Sequence, residues 1–311
     1  MEKFFEDYYK FINTQFTSSI TQKIINGFTK KRYTTFRVNT LKASIDDVTQ
    51  KLKEEKIEFK KSSFFPNSYY FKDLKESKAL KLSVVENGSI YLQSFSSMIP
   101  AYLIEPLENE EILDITAAPG SKTTLLSALS NNKALIYANE KDKIRYERLK
   151  FNTHLLDCKV QLLNENAISL SKIFIKKFDK VLVDAPCSGE GRFLQNDRST
   201  YSSWSEKDIA KYSNLQKKIL DSALKTLKDG GLCVYSTCTI NKKENEEVIE
   251  YVLQKYQVSI CKNFEILNNI PDLFIDYIYI KNIKLPVYRI LPSQFFEGFT
   301  IIAFYKIKDL E

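Results

Sequence analysis

The sequence predicts an α/β protein in which a doubly wound, mostly parallel sheet follows a small N-terminal α+β domain. From about residue 106, short apolar runs alternate with longer helical segments, which is typical of a parallel sheet with helices on both faces. Before that point, strands, turns and a short helix follow one another without this alternation. At 311 residues, the chain is long enough for two such domains.

We expect the first domain to span residues 1–105. "TTFRVNTLK" alternates like a strand, "SIDDVTQKLKEEKI" begins with a capping serine, and "EFKKSSFFPNSYYFK" returns to strand and turn. Basic and aromatic residues intermingle here, and such mixtures can hold phosphates and stack on unpaired bases. They are Lys30, Lys31, Arg32, Arg37, Lys42, Lys60, Lys61, Phe28, Tyr33, Phe36, Phe64 and Phe65. A half-buried sheet with a lysine-rich solvent face would give the same pattern.

The second domain is predicted to span residues 106–311. Its strands end in "EILD", "ALIYANE", "KVQLLNE", "VLVDAP" and "LCVYSTC", and "SEKDIAKYSNLQKKILDSALKTLKDGG" is predicted to be a long helix that stops at the glycines. Ligands of such sheets bind beyond the carboxyl ends of the strands. The unusual residues of this domain all follow a strand: Asp114, Glu140, Asp184, Cys187 and Cys238.

Composition narrows the class of protein. Forty-six Lys and Arg against 39 Asp and Glu give a net charge of +7, which is compatible with a polyanionic partner but does not prove one. The five cysteines lack the spacing of a disulfide scaffold or a zinc site, and His154 is the only histidine, so no metal is expected. Without a leader-like or long apolar segment, we expect a cytoplasmic protein with reduced thiols that does not enter membranes.

The loop in "LDITAAPGSKTT" leads from a strand into a helix whose free N–H groups face it. It lacks the glycine patterns of dinucleotide sites and phosphate loops, and suits a smaller ligand with a carboxylate. Glu140 follows Gly120 by 20 residues, an offset at which an acid commonly binds ribose hydroxyls. A nucleoside with an amino-acid tail, such as S-adenosylmethionine (SAM), fits both ends. The alternative is that Glu140 merely caps the next helix.

Two cysteines follow what we expect to be neighbouring strands. Cys187 lies three residues after Asp184, and Cys238 follows "CVYST", so both thiols should meet in one crevice. A redox dithiol usually has the C-x-x-C spacing, which is absent. Covalent catalysis needs one thiolate and a group for proton work. Addition of a thiolate to C6 of cytosine, with an acid at N3, would make C5 nucleophilic.

Three of these segments resemble the motifs of the Sun-type (NSUN) RNA cytosine-C5 methyltransferases: "LDITAAPGSKT", "VLVDAPCSGEGRF" and "VYSTCTINKKENEEVI". "TFRVNTLK", "GSIYLQSFSSMIPA" and "RILPSQFFEGFTIIAFYK" resemble the flanking signatures, so the resemblance covers residues 33–306. It implies a Rossmann-like, SAM-dependent methyltransferase domain at 106–311 and an RNA-binding module at 1–105. It also implies methyl transfer to C5 of a cytosine in RNA.

The resemblance also implies a role for each matching residue. Cys238 would be the nucleophile, Cys187 would assist product release, Asp184 would pair with the cytosine edge, and Lys122 would line the pocket. The cofactor contacts would be Ala117, Ala118, Pro119, Gly120, Lys122, Glu140, Arg145, Asn166 and Asp184. Three positions depart from the family pattern: Ser121 replaces a glycine, Asn166 an aspartate near the adenine, and Ser293 a histidine.

The expected partner is RNA with an unstacked target base, because a base within an intact duplex could not reach a buried thiol. The absence of a recognisable appended RNA-binding domain favours tRNA over rRNA and a monomer. The main alternative is a catalytically silent RNA-binding or ribosome-assembly factor, and a redox enzyme comes third. Intact Cys187, Cys238, Asp184 and Lys122 argue against the silent factor.

Overall fold

The computed structural model describes residues 3–261 and 264–310. The first third of the chain consists of six helices and four strands within the described residues. They are α1 Lys3–Asn13, α2 Ser18–Phe28, β1 Thr35–Val38, α3 Ile45–Glu54, β2 Phe59–Lys61, β3 Ser68–Phe71, α4 Glu76–Ala79, α5 Ser83–Glu86, β4 Ile90–Leu92 and α6 Phe95–Ile104.

The small N-terminal sheet is antiparallel, in the order β2-β3-β1-β4. Helix α3 begins after the predicted cap, where Ser44 Oγ accepts a hydrogen bond from the Asp47 N–H. Phe36, Leu52 and Phe71 form part of a core between this sheet and its helices. The predicted order of strand, helix, strand and turn is therefore confirmed.

Three of the five aromatic side chains in the predicted RNA-binding set are not free to stack on bases. Phe28, Phe36 and Phe65 are buried, because each belongs to an apolar cluster of the protein itself. Arg37 is also buried, and it donates hydrogen bonds to Gln93 Oε1 and Thr124 Oγ1. The interpretation of these four residues as RNA contacts was wrong. The basic residues that remain exposed are Lys30, Lys31, Lys42, Lys60 and Lys61.

The rest of the chain forms one large sheet and its helices. The elements are β5 Glu111–Asp114, α7 Ser121–Leu129, β6 Leu135–Asn139, α8 Lys143–Leu155, β7 Val160–Leu163, α9 Leu170–Ile173, β8 Phe178–Asp184, α10 Glu206–Thr226, β9 Leu227–Thr237, α11 Glu246–Val252, β10 Tyr256–Ile260, β11 Leu273–Ile280, β12 Ile283–Ile290 and β13 Phe299–Asp309. Short 3₁₀ turns lie at Ala167–Ser169, Glu190–Arg192, Arg198–Thr200, Leu253–Lys255 and Glu265–Asn269.

The large sheet runs in the order β11-β12-β13-β9-β8-β5-β6-β7, and β10 also pairs with β13. Strands β5 to β9 are parallel, and the order reverses between β5 and β8, which gives the predicted doubly wound, Rossmann-like arrangement. Strands β10 to β13 are antiparallel and were not assigned from the sequence. Ile280 pairs with Ile283, so a two-residue turn joins β11 to β12.

One helix ends earlier than the sequence predicts. Helix α10 ends at Thr226, because Gly230 and Gly231 lie inside β9 and not at the helix terminus. Helix α11 covers Glu246–Val252, and Glu244 lies before it in the loop after Cys238.

Elements from the first third of the chain pack on the large sheet. Met98 and Leu103 of α6 belong to the same apolar cluster as Leu182 and Val234 of the sheet. Helices α1 and α2 pack against residues 193–204. Phe193 and Tyr201 are buried there among aromatic rings of both helices.

No helix within the described ranges is long and apolar enough to cross a membrane.

Candidate active site

The residues singled out from the sequence meet at one edge of the large sheet. Asp114 and Asp184 end β5 and β8, Glu140 follows β6, and Cys238 follows β9. These four strands are parallel, so their carboxyl ends face the same side.

The loop between β5 and α7 is held mainly by backbone hydrogen bonds. The Ala117 N–H donates to Asn139 O at 2.8 Å, and the Gly120 N–H donates to Ala117 O at 2.8 Å. Gly120 has φ 103°, which disfavours any side chain, and a Cβ there would lie 3.0 Å from Leu149 Cδ1. The glycine therefore lets the loop turn closely against α8 before the free N–H groups of α7 begin.

Glu140 and Arg145 flank this loop, as the cofactor prediction requires. Arg145 Nη2 donates to Ala118 O at 2.8 Å, and Arg145 Nη1 lies 3.4 Å from Glu140 Oε2. Glu140 Oε1 accepts a hydrogen bond from the Asp142 N–H at the start of α8. Glu140 is thus both a partial cap and an acid beside the loop, so the two alternatives from the sequence coexist.

Asp114 is the most isolated polar group of this edge. Its side chain is buried, and Thr123 Oγ1 donates to Oδ2 at 2.7 Å. Oδ1 has no hydrogen-bond partner among the residues that the structure describes. Burial raises the pKa of Asp114 to about 7. An acceptor with spare capacity is therefore present directly below the loop.

Asn166 follows β7, at the carboxyl end of the same parallel strands. Its side chain is exposed and accepts a hydrogen bond from the Ile168 N–H, so it caps its own 3₁₀ turn. Asn164 instead contacts the Glu140 segment, because its Nδ2 donates to Glu140 O at 2.6 Å. Asn139 was missed, yet its amide binds Ile115 O and Glu165 O and so joins two strand ends.

Lys122 and Asp184 form a largely buried ion pair between the cofactor loop and the cysteines. Lys122 Nζ lies 2.7 Å from Asp184 Oδ2 and 2.8 Å from Ser97 Oγ. Ser236 Oγ donates to Asp184 Oδ1 at 2.8 Å. The Asp184 side chain keeps 30% of its exposure, whereas that of Lys122 keeps 7%.

The thiols of Cys187 and Cys238 are in contact, with 3.1 Å between the Sγ atoms. This contact follows from the pairing of β8 with β9, which precede the two loops. The hydrogen bond between the thiols and burial both raise the pKa of Cys187. The same hydrogen bond, helped by the charge of Arg192, lowers the pKa of Cys238. Either sulfur can donate in this contact, and the charge of Arg192 favours the thiolate at Cys238.

Arg192 is a site residue that sequence reasoning missed. Its guanidinium lies over Gly189, where Nη2 would be 2.6 Å from an added Cβ. The charge of Cys238 is the main cause that raises the pKa of Arg192. The sequence signal was an arginine in the loop after Cys187, but nothing in the pattern showed that it would turn back toward the thiols.

Arg32 connects the first third of the chain to the cysteine loop. Its guanidinium donates to the carbonyl oxygens of Gly191, Arg192 and Phe193 at 2.9 to 3.2 Å. The Gly191 N–H in turn donates to Cys238 O at 3.0 Å. The N-terminal residues thus contact the backbone that carries both thiols.

The remaining cysteines lie away from this crevice. Cys233 and Cys261 are buried in apolar clusters, and burial raises the pKa of Cys158 to about 11. His154 is exposed on α8. In the part of the chain that the structure describes, no group of three His, Cys, Asp or Glu residues could hold a metal ion.

Two family profiles match the chain. Residues 101–294 match the family described as 16S rRNA methyltransferase RsmB/F, and residues 9–72 match the ferredoxin-like domain of RsmF/B-like methyltransferases.

Curated relatives include enzymes for two kinds of RNA. The ribosomal RNA small subunit methyltransferase F of Shewanella sp. (strain MR-4) is 33% identical over 84% of this chain, which spans 56% of that enzyme. The tRNA (cytosine(49)-C(5))-methyltransferase of Pyrococcus abyssi is 35% identical over 73% of this chain and 72% of that enzyme. The chain therefore spans little more than half the length of its rRNA-modifying relatives.

Solved structures agree with the fold. A methyltransferase homologue from Pyrococcus horikoshii has a TM-score of 0.76 at 27% identity and covers 98% of this chain and 95% of its own. NSun6 from the same organism, solved with SFG, has a TM-score of 0.81 at 24% identity over 99% and 98% of the two chains. The profile match and the curated relatives place the chain in the RsmB/F family of Sun-type methyltransferases.

Proposed function

We propose that this chain transfers a methyl group from SAM to C5 of a cytosine in RNA through a covalent bond between Cys238 and C6. The observation that supports this most directly is the contact of the two thiols beside the Lys122–Asp184 pair. These four groups match the four roles that the reaction needs. The roles are the nucleophile (Cys238), the group that assists release (Cys187), the acid that binds cytosine (Asp184) and the counter-charge of that acid (Lys122).

The loop from Ala117 to Gly120, with Glu140 and Arg145, is the proposed place of SAM. When bound, SAM supplies an electrophilic methyl group on a positively charged sulfur for C5. The spare acceptor Asp114 Oδ1 and the free N–H groups of α7 fit the two ends of an amino-acid tail. The buried Glu140 fits ribose hydroxyls. Asn166 is exposed after β7 and keeps its Oδ1 on its own 3₁₀ turn, so its proposed contact with the adenine would come from Nδ2.

Cys238 opens the reaction as the thiolate. Its sulfur forms a bond to C6, and the C5–C6 electron pair becomes available at C5 while N3 accepts a proton or a hydrogen bond. The lowered pKa of Cys238, caused first by the hydrogen bond with Cys187, favours the thiolate form of this sulfur.

Asp184 and Lys122 hold the cytosine ring. Asp184 accepts a hydrogen bond from the amino group of the cytosine and passes on to N3 the proton that Lys122 donates to it, while Ser236 fixes the orientation of the carboxylate. Since both partners of Asp184 come from other elements, the ring is oriented by the sheet edge as a whole.

Release begins when water takes the C5 proton and the C5–H electrons re-form the C5–C6 double bond. The S–C6 electrons return to Cys238, which departs as the thiolate, and the N3 proton returns to the Asp184–Lys122 pair. We assign assistance of this elimination to Cys187, because its sulfur touches the sulfur that must leave.

We propose folded RNA as the substrate, with tRNA ahead of rRNA. The chain matches the Pyrococcus abyssi tRNA enzyme over 72% of that enzyme's length, against 56% for the Shewanella rRNA enzyme. The exposed Lys30 and Lys31, beside the Arg32 contact with the cysteine loop, are suited to hold phosphates near the crevice.

The test is incubation of the purified chain with tritiated SAM and unmodified transcripts of tRNA and 16S rRNA, followed by nucleoside analysis. We expect labelled 5-methylcytosine, in tRNA first. Absence of label from both RNA classes, with SAM binding retained, would favour an RNA-binding factor without turnover.

Single substitutions separate the two thiols. Cys187→Ala is expected to accumulate a protein–RNA adduct that survives a denaturing gel, whereas Cys238→Ala should form none. Cys158→Ala is the matched control, because that thiol lies away from the crevice. The reverse pattern would mean that the roles of the two cysteines are exchanged.

A further inference from the structure

Two buried carboxylates join the loops that carry the cysteines. Glu190 lies three residues after Cys187, and Glu244 lies six residues after Cys238. Both residues are fully buried. Buried carboxylates are costly unless hydrogen bonds satisfy them, so their partners indicate what they do.

Each carboxylate accepts hydrogen bonds from the loop of the other cysteine. Glu190 Oε1 accepts from the backbone N–H groups of Ile240 and Asn241, at 3.1 and 2.7 Å. Glu244 Oε2 accepts from the backbone N–H of Ser188 at 3.0 Å. Ser188 follows Cys187, and Ile240 lies two residues after Cys238. The contacts therefore cross between the loops in both directions.

We propose that Glu190 and Glu244 are positioning residues that act as a reciprocal clamp and hold the Cys187 and Cys238 thiols in contact. The importance of this clamp for catalysis rests on the proposed function. Its effect on the distance between the two thiols can be tested without RNA.

The two acids differ in a way that makes the clamp testable. Glu190 uses only Oε1, and its Oε2 has no hydrogen-bond partner within the described residues. Glutamine at this position would keep the accepting oxygen and place its NH₂ where Oε2 lies. Glu190→Gln should therefore retain the clamp, and Glu190→Ala should lose it.

Glu244 uses both oxygens. Oε1 accepts from Asn241 Nδ2 at 2.9 Å, and Oε2 accepts from Gln216 Nε2 as well as from Ser188. The Asn241 amide cannot turn without loss, because its Oδ1 accepts from the Glu244 N–H. In either orientation, glutamine would set an NH₂ group against a donor. Glu244→Gln should therefore open the clamp.

The experiment measures how readily the two thiols join. Diamide oxidises neighbouring thiols to a disulfide, and mass spectrometry of peptides reports the Cys187–Cys238 link. We expect Glu190→Ala and Glu244→Gln to slow its formation about tenfold, and Glu190→Gln at most about threefold. Glu206→Gln, an exposed acid paired with Lys243, is the matched control and should match the wild-type rate.

Methylation with tritiated SAM gives the second readout. Glu244→Gln should lower kcat while the KM for SAM stays near that of the wild type, with Glu190→Gln again close to normal. Equal disulfide rates in Glu190→Gln and Glu244→Gln, at matched melting temperatures, would overturn the clamp. The two proposals can also fail separately. If Glu244→Gln forms the disulfide more slowly but the wild-type chain methylates no RNA, the clamp is supported and the proposed function is refuted.

Discussion

The two halves of the candidate site are built differently. The cofactor half, residues 114–120, is held by backbone hydrogen bonds and small residues, and one oxygen of Asp114 has no partner among the described residues. The cysteine half is held by buried charged side chains that cross between loops. A binding site for a ligand that enters and leaves needs spare polar groups. A pair of reacting thiols needs a fixed distance.

The largest expected effect comes from Arg289, which supports the cysteine half. This fully buried guanidinium binds both oxygens of Glu246 at 2.7 and 2.8 Å and donates to Ile240 O at 2.9 Å. Arg289→Met leaves Glu246 buried without a partner, so we expect a loss of about 3–5 kcal/mol in the free energy of unfolding. Urea denaturation measures this loss.

The matched control for Arg289 is Lys308→Met on the neighbouring strand, where the lysine is exposed. It should change stability by no more than about 0.5 kcal/mol. A similar small loss in Arg289→Met would show that the cysteine half does not depend on its buried charges.

Each half contains one buried acid with a raised pKa, and this predicts a pH dependence. Burial raises the pKa of Asp114 and of Glu190 to about 7, above the value near 4 of an unfolded chain. The folded state thus holds protons that the unfolded state has already lost. Stability should fall as pH rises from about 5 to about 8.

Glu190→Gln should remove about 2 kcal/mol of this decrease in the free energy of unfolding, because the amide does not ionise. Asp114→Asn should do the same for the cofactor half. Urea unfolding at several pH values between these limits measures both slopes. A slope in Glu190→Gln equal to that of the wild type would mean that this acid does not titrate on unfolding.

Gly120 tests how closely the cofactor loop must approach α8. We expect Gly120→Ala to cost about 1–2 kcal/mol and to weaken SAM binding, because it adds backbone strain and a contact with Leu149. Gly230→Ala is the control, since Gly230 also has a positive φ but no atom within 4 Å of an added Cβ. If calorimetry gives both variants the same stability and SAM affinity, the approach to α8 has no importance.

The smallest expected effect concerns Arg192, whose charge helps to lower the pKa of Cys238. Arg192→Ala should move the pH profile of Cys238 alkylation by iodoacetamide to higher pH, with a rate about threefold lower at neutral pH. Arg192→Lys keeps the charge and should recover most of the rate. Identical profiles for all three proteins would assign the activation to the Cys187 hydrogen bond alone.

The strand-end residues could be predicted because parallel sheets collect such ends at one edge. Asp184 and Cys187 follow β8, and Cys238 follows β9, so adjacency of two strands was enough to bring the thiols together. The loop between β5 and α7 could be placed at this edge for the same reason.

The buried charged residues that hold the cysteine half in place were not predictable in the same way. Glu244 and Glu246 stand in an acidic run that has the composition of a solvated helix start, yet both are buried. Their partners, Ser188 and Arg289, are 56 and 43 residues away in the chain. Burial of a charge depends on such distant partners, which local composition does not reveal.

Arg32 has a consequence for any attempt to exchange parts between related chains. A hybrid that replaces the N-terminal residues must supply another donor for the three carbonyl groups at positions 191–193, or it loses those hydrogen bonds. The N-terminal residues and the cysteine loop are therefore matched to one another in this chain through one guanidinium group.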